Sequence, residues 1–202
     1  MARSIKLDVK KFVSDPSTPT VTTQGTSGAT GYSYKIVAVA ADGATSAASA
    51  SGSTSSGNST LSGANFNRVT WPAVPAAASY EVYRTAGGAS QGKIGSTTGT
   101  TFDDTGLAGD GVSAPTQNGT GIGSEMAVLD LREVTVQFDG TFSGALQLEG
   151  RVSASAAFVS VGAAQTAPGL LAVPQKLAEV RVRMTAYSSG EPAVYACGNQ
   201  RA

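Results

Sequence analysis

The sequence is governed by a short rhythm. Apolar and polar residues alternate with period two, and turn residues break the runs roughly every 8–12 positions. Ile5, Leu7 and Val9 alternate with Lys6, Asp8 and Lys10. Tyr32, Tyr34, Ile36 and Ala38 share one phase, as do Val134, Val136 and Phe138. Leu146, Leu148 and Val152 alternate with Gln147, Glu149 and Arg151, and Val180, Val182 and Met184 alternate with Arg181 and Arg183. Successive side chains of a strand point to opposite faces, so this pattern predicts half-buried strands. Segments with helical period are short, residues 76–79 and 175–179 being the candidates. The chain is therefore expected to be all-β.

The punctuation divides the runs. Asp42-Gly43 signals a hairpin, residues 53–66 read as a polar loop, and residues 167–169 with Pro174 interrupt the C-terminal third. Residues 108–124 lose all periodicity and collect Gly, Pro and Ser, which marks a boundary. The expected organisation is a strand or arm at 1–15, a sandwich at 16–118, a linker at 119–124 and a second sandwich at 125–202. The first segment is either an edge strand of a nearby sheet or an arm that adds a strand to a neighbouring subunit.

Charge narrows the function classes. Charged residues are 14% of 202, against about 25% in an average soluble domain. Fourteen basic and fourteen acidic residues cancel, which gives no electrostatic case for nucleic acid or an anionic membrane. No run approaches the roughly 18 apolar residues of a membrane-spanning helix. Residues 1–15 lack the apolar core of a signal peptide, so folding in a cytoplasm is expected. Cys197 is the one cysteine; it has no internal disulfide partner and reads as a small buried hydrophobe.

Histidine is absent, which removes Ser-His-Asp and Cys-His catalysis and His-ligated metal sites. No phosphate-binding loop of the Walker type is present, and Gly119, Gly121 and Gly123 lack the strand and helix of a dinucleotide site. Asp103, Asp104 and Asp110 could ligate calcium, but carboxylates where a strand enters a turn more often serve the turn. Asn58-Ser59-Thr60 and Asn118-Gly119-Thr120 match the glycosylation acceptor and should be inert in a chain folded in a cytoplasm. Trp71 ends an alternating run and reads as core rather than as a sugar platform. No catalytic, cofactor-binding or metal-binding residue is assigned, and no cofactor is expected. The candidate contacts are assembly contacts: Ile5, Leu7 and Val9 on the first strand, and Arg181 and Arg183 on an outer face. For the two arginines a solvated face competes with contact to an acidic neighbour.

One phrase carries a family likeness. Trp71, Ala73-Val74-Pro75 and residues 78–84 (ASYEVYR) resemble strands B and C of fibronectin type III domains. Residues 100–107 (TTFDDTGL) resemble strand E, and residues 32–49 resemble strands F and G. The F- and G-like strands come first, so the domain is either circularly permuted or a related sandwich with its own topology. The permuted phrase resembles modules of tailed-bacteriophage virion proteins. Residues 134–162 and 166–193 resemble a β-sandwich domain of phage head, neck and tail accessory proteins. The resemblance implies two β-sandwich domains, an Ig/fibronectin III-like one followed by a jelly-roll-like one. It also implies a non-enzymatic structural protein of the virion, one that decorates the capsid or forms a neck or tail spike or fibre. Implied partners are copies of itself, as a homo-oligomer such as a trimer, and capsid, portal-region or tail proteins; nucleic acid and membrane are not implied. Assembly would take place in the bacterial host cytoplasm. The competing expectation is a carbohydrate- or receptor-binding adhesion module.

Overall fold

The computed structural model describes residues 2–173 and 176–200. Among them there is no helix; the chain is all-β, built of antiparallel sheets in the manner of a β-sandwich. Pro174, and Gln175 in the second short helical candidate, lie outside the described residues. The first candidate, residues 76–79, follows a turn closed by the Ala77 amide on Val74 O, with Ala76 at φ 62°, and runs into a strand at Ser79.

The chain forms two compact units. One is residues 13–120; the other joins residues 1–12 to residues 121–202. The first is thus inserted in the second. The break after residue 120 falls inside the aperiodic stretch 108–124, and residues 108–120 are tied down by backbone bonds to residues 45, 48, 91 and 93. Lost periodicity marked irregular backbone, not a free linker. Residues 121–124, expected to be linker, are also fixed: Gly121 O accepts from the Met184 amide, and the Gly123 amide donates to Val182 O.

The inserted unit carries β2 (Thr20–Gln24), β3 (Thr30–Val39), β4 (Gly52–Gly57), β5 (Phe66–Thr70), β6 (Ser79–Ala86), β7 (Gly92–Thr97) and β8 (Thr101–Asp104). Three strands form one sheet in the order β2-β5-β8, and four form another in the order β4-β3-β6-β7. The B- and E-like phrases are neighbours in the first sheet; the C- and F-like phrases are neighbours in the second. Tyr32, Tyr34, Ile36, Val69, Trp71, Tyr80 and Val82 form the core. Trp71 packs edge-on against Tyr80 at 5.4 Å between ring centroids. β4 falls within the expected polar loop. Its sequence, GSTSSG, has no apolar phase; it is held by pairing to β3 and by hydroxyl contacts from Thr23 to Thr54 and Ser56.

Asp42-Gly43 makes its turn, with Gly43 at φ 86°, the left-handed region glycine tolerates. The returning chain then builds an unusual ladder with period three. The Ser46 and Ser49 amides donate to Ala38 O and Ile36 O. Their hydroxyls accept from the Ala38 and Ile36 amides, at 3.0 Å each, and donate to the next carbonyl in sequence. Each serine thereby satisfies both backbone groups of a buried β3 residue without being a strand.

The outer unit carries β1 (Ala2–Leu7), β9 (Met126–Ala127), β10 (Leu131–Arg151), β11 (Val159–Ser160), β12 (Gly169–Ala172) and β13 (Glu179–Gln200). Its axis is a two-stranded ribbon of β10 and β13, paired from Leu131↔Gln200 to Arg151↔Glu179. Residues at both ends of the ribbon are buried in one core: Val134, Val136, Phe138, Val194 and Ala196 with Leu146, Leu148, Val180, Val182 and Met184. The exposed middle carries register shifts at residues 143–146 and positive φ at Gly140 (88°) and Gly190 (92°). Bulges and glycines of this kind bend a ribbon and blunt its open edges. β12 and β1 flank one half of the ribbon, and β11 and β9 flank the other. The N-terminal strand pairs with β13 of its own chain, Ala2↔Asn199 through Leu7↔Val194.

Candidate functional site

The densest polar cluster lies inside the inserted unit. In β6, Tyr80, Val82 and Arg84 share the inward phase; Asn67 shares it with Val69 in β5, and Asp104 with Phe102 in β8. Arg84 and Asp104 are 2% and 0% exposed and form an ion pair at 2.6 Å. Tyr34 Oη donates to the same carboxylate oxygen (2.8 Å) and accepts from Asn67 Nδ2 (2.9 Å). The other Asp104 oxygen accepts the Gly106 and Leu107 amides, and the guanidinium also reaches Ser90 O and Leu107 O. Burial, and then the charge of Asp104, holds the Tyr34 hydroxyl well above the usual tyrosine range. Both Asp104 oxygens are occupied by this chain's own donors, whereas the buried Asn67 Oδ1 has no partner among the described residues; the cluster's bonds join β3, β5, β6 and β8. The sequence reading did not find it. The signal was a polar residue in an inward phase at Asn67, Arg84 and Asp104.

The three flagged aspartates go to separate tasks. Asp103 faces the opposite side of β8 and pairs bidentately with Arg68 at 2.8 Å. Asp110 Oδ1 caps the Lys93 and Val112 amides; these bonds, Val112's foremost, hold its carboxyl below the usual range. Among the described residues no group of three or more acidic or cysteine side chains is placed to hold a metal.

Residues 111–116 cross the outer face of the four-stranded sheet and roof a groove of about 350 Å³ floored by Lys35, Tyr83 and Thr85. All thirteen aromatic side chains of the protein are buried or half-buried, Trp71 among the buried ones.

In the outer unit, the assembly candidates are taken up within the chain. Leu7 is buried in the core, Val9 packs against it, and Ile5 is half-buried beside Met126 and Leu129. Arg181 donates to Glu149 at 2.7 Å and stacks on Phe158 at 4.0 Å. Arg183 lies 3.7 Å from the same carboxylate. Arg151 also lies over the Phe158 ring, at 4.6 Å, and binds Glu179 and Glu125. The acidic neighbour of both arginines is thus Glu149 of the same chain, directly opposite Arg181 in register. Cys197 is exposed rather than buried, because it takes the outward phase between Ala196 and Gly198.

Comparison with protein-family models, with curated proteins and with solved structures finds no match.

Proposed function

We propose that this chain is a non-enzymatic structural component of a bacteriophage virion, decorating the capsid or forming a neck or tail spike or fibre. It would act by packing against copies of itself and against capsid, portal-region or tail proteins. The reading is supported by the insertion of one β unit, residues 13–120, in another, together with the resemblance of residues 134–162 and 166–193 to virion accessory domains. The buried Arg84–Asp104 pair is held by bonds within its own chain, which suits a scaffold rather than a reaction centre. A chain of zero net charge with 14% charged residues suits close packing that salt weakens little. In this reading the outer unit anchors and the inserted unit is displayed.

The test is location. Antibody or gold labelling of purified particles in the electron microscope should decorate a fixed position, and the protein should co-purify with virions. Its absence from particles would sink the reading. The alternative is a carbohydrate- or receptor-binding module of a phage tail. That reading calls for several exposed aromatics on one surface, and the burial of these side chains weighs against it. A clear signal on a glycan array would reverse the order.

A further inference from the structure

The glycosylation-like triplet Asn118-Gly119-Thr120 has a different chemical character once its surroundings are seen. Asn118 closes the two ends of the inserted unit. Its Nδ2 donates to Val13 O (2.9 Å) and to Asp15 Oδ1 (2.8 Å). Its Oδ1 accepts from the Thr120 amide (3.0 Å) and hydroxyl (2.7 Å). The orientation of the carboxamide is fixed by these partners: a backbone amide only donates and a carbonyl only accepts. Thr120, 1% exposed, completes the closure: its hydroxyl oxygen accepts the Val13 amide, and its one proton is shared between Asn118 Oδ1 and Val13 O. Asp15 also accepts the Ala47 amide, and the Gly119 amide donates to Thr45 O at 3.0 Å.

An asparagine followed by glycine is the dipeptide most open to deamidation, because no Cβ shields the following nitrogen. The Gly119 nitrogen attacks Asn118 Cγ, the Cγ–Nδ2 bond breaks, and ammonia leaves with the protons of both nitrogens. Water then opens the cyclic imide to aspartate or isoaspartate. Here both reacting groups are occupied. The nucleophilic nitrogen is bound to Thr45 O, and the carboxamide is held by four bonds. The same bonds are what the reaction would destroy. After it, an oxygen acceptor replaces the Nδ2 donor opposite a carbonyl and the Asp15 carboxylate, and like charges at this separation repel.

We propose that Asn118-Gly119 is a deamidation site gated by its own clamp, and that reaction there irreversibly opens the closure between the two ends of the inserted unit.

The experiment follows peptide 118–119 by mass spectrometry in the full chain at mildly alkaline pH, folded and in urea. The folded rate should be more than about tenfold below the unfolded one, since reaction needs local opening. Asp15→Ala, at an exposed position, should speed the folded reaction several-fold and leave the unfolded rate unchanged. Gly119→Ala should suppress the reaction in both states; its added methyl meets only Thr45 O, at 3.7 Å, so the fold accepts it. Asn118→Asp should melt at least about 4 °C below Asn118→Ala, because it adds repulsion beyond the lost bonds. Equal folded and unfolded rates, or Asp15→Ala without effect, would overturn the gating. Asn118→Asp at or above Asn118→Ala would overturn the opening.

Discussion

Asp103 and Asp104 are adjacent in sequence, identical in chemistry, and opposite in environment. Asp104→Ala strands the Arg84 guanidinium, 2% exposed, without its counter-charge. It also removes the acceptor of Tyr34 Oη and of the Gly106 and Leu107 amides. Removing one partner of a buried pair costs about 3–5 kcal/mol. Asp103→Ala breaks a bidentate pair whose side chains are 43% and 35% exposed, and such pairs contribute about 0–1 kcal/mol. Domains of this size are stable by only about 5–15 kcal/mol. The Asp104 variant should therefore lose a large part of the inserted unit's stability, with a drop in Tm of about 15 °C or more. The Asp103 variant should shift it by a few degrees. Urea titration followed by Trp71 fluorescence reads the inserted unit directly, since Trp71 lies in its core. Arg84→Met combined with Asp104→Leu removes both charges at once, and should recover much of what Asp104→Ala loses. Two results would refute the reasoning: variants at 103 and 104 within about 1 kcal/mol of each other, or a double variant no more stable than Asp104→Ala.

Other consequences can be measured in the same way. Leu7→Ala should cost about 2–5 kcal/mol, as core truncations do; because β1 pairs within its own chain, the loss should not depend on protein concentration. Gly95→Ala should cost about 1–3 kcal/mol through overpacking, since the new methyl would sit 2.6 Å from the Phe102 ring; a neutral result in urea titration would contradict the placement. Tyr34 and Tyr83 both have hydroxyls raised by burial, Tyr34 next by Asp104 and Tyr83 next by its bond to Glu81. The folded state keeps these protons when the unfolded state has lost them, so stability is full below about pH 10 and falls as pH rises past it. Tyr34→Phe should flatten that fall in alkaline denaturation curves; an unchanged slope would rule Tyr34 out as its source. Replacing residues 13–120 with a short Gly/Ser bridge should leave the outer unit folded by circular dichroism, because a methyl on Gly121 would lie 3.2 Å from Phe12 Cα.

Much of the fold was legible because period two is a strong signal wherever one face is buried. The phases of Tyr34, Ile36, Val136, Leu148 and Val182 read directly as core. The misses share a cause. β4 has no apolar residue to carry a phase, and the serine ladder at 46 and 49 uses side chains where a strand uses backbone. Residues 108–120 are aperiodic yet fixed, because their bonds are backbone and carboxylate caps that any sequence with Gly and Asp can make. For Arg181 and Arg183, phase set them opposite to the buried Val180, Val182 and Met184. What it left out was Glu149, which the pairing of β10 with β13 sets opposite Arg181 and diagonal to Arg183.

The discontinuous outer unit was hidden for a deeper reason. Pattern reads neighbours in sequence, whereas the pairing of β1 with β13 joins residues almost the full chain apart. Such a pairing needs the intervening module to return the chain to where it left. In the outer unit Phe12 and Gly121 lie side by side, held by the Phe12 amide on Met184 Sδ and the Met184 amide on Gly121 O. In the inserted unit Val13 and Thr120 are bonded to each other. Each unit therefore meets the same requirement independently: its two chain crossings are already neighbours. Insertion is tolerated where the ends lie close, and the polar clamp of Asn118 and Thr120 supplies that closeness on the inserted side. The residues that look least structured in the sequence, glycine and asparagine at the edge of an aperiodic stretch, are the ones that make a two-unit chain from a single thread.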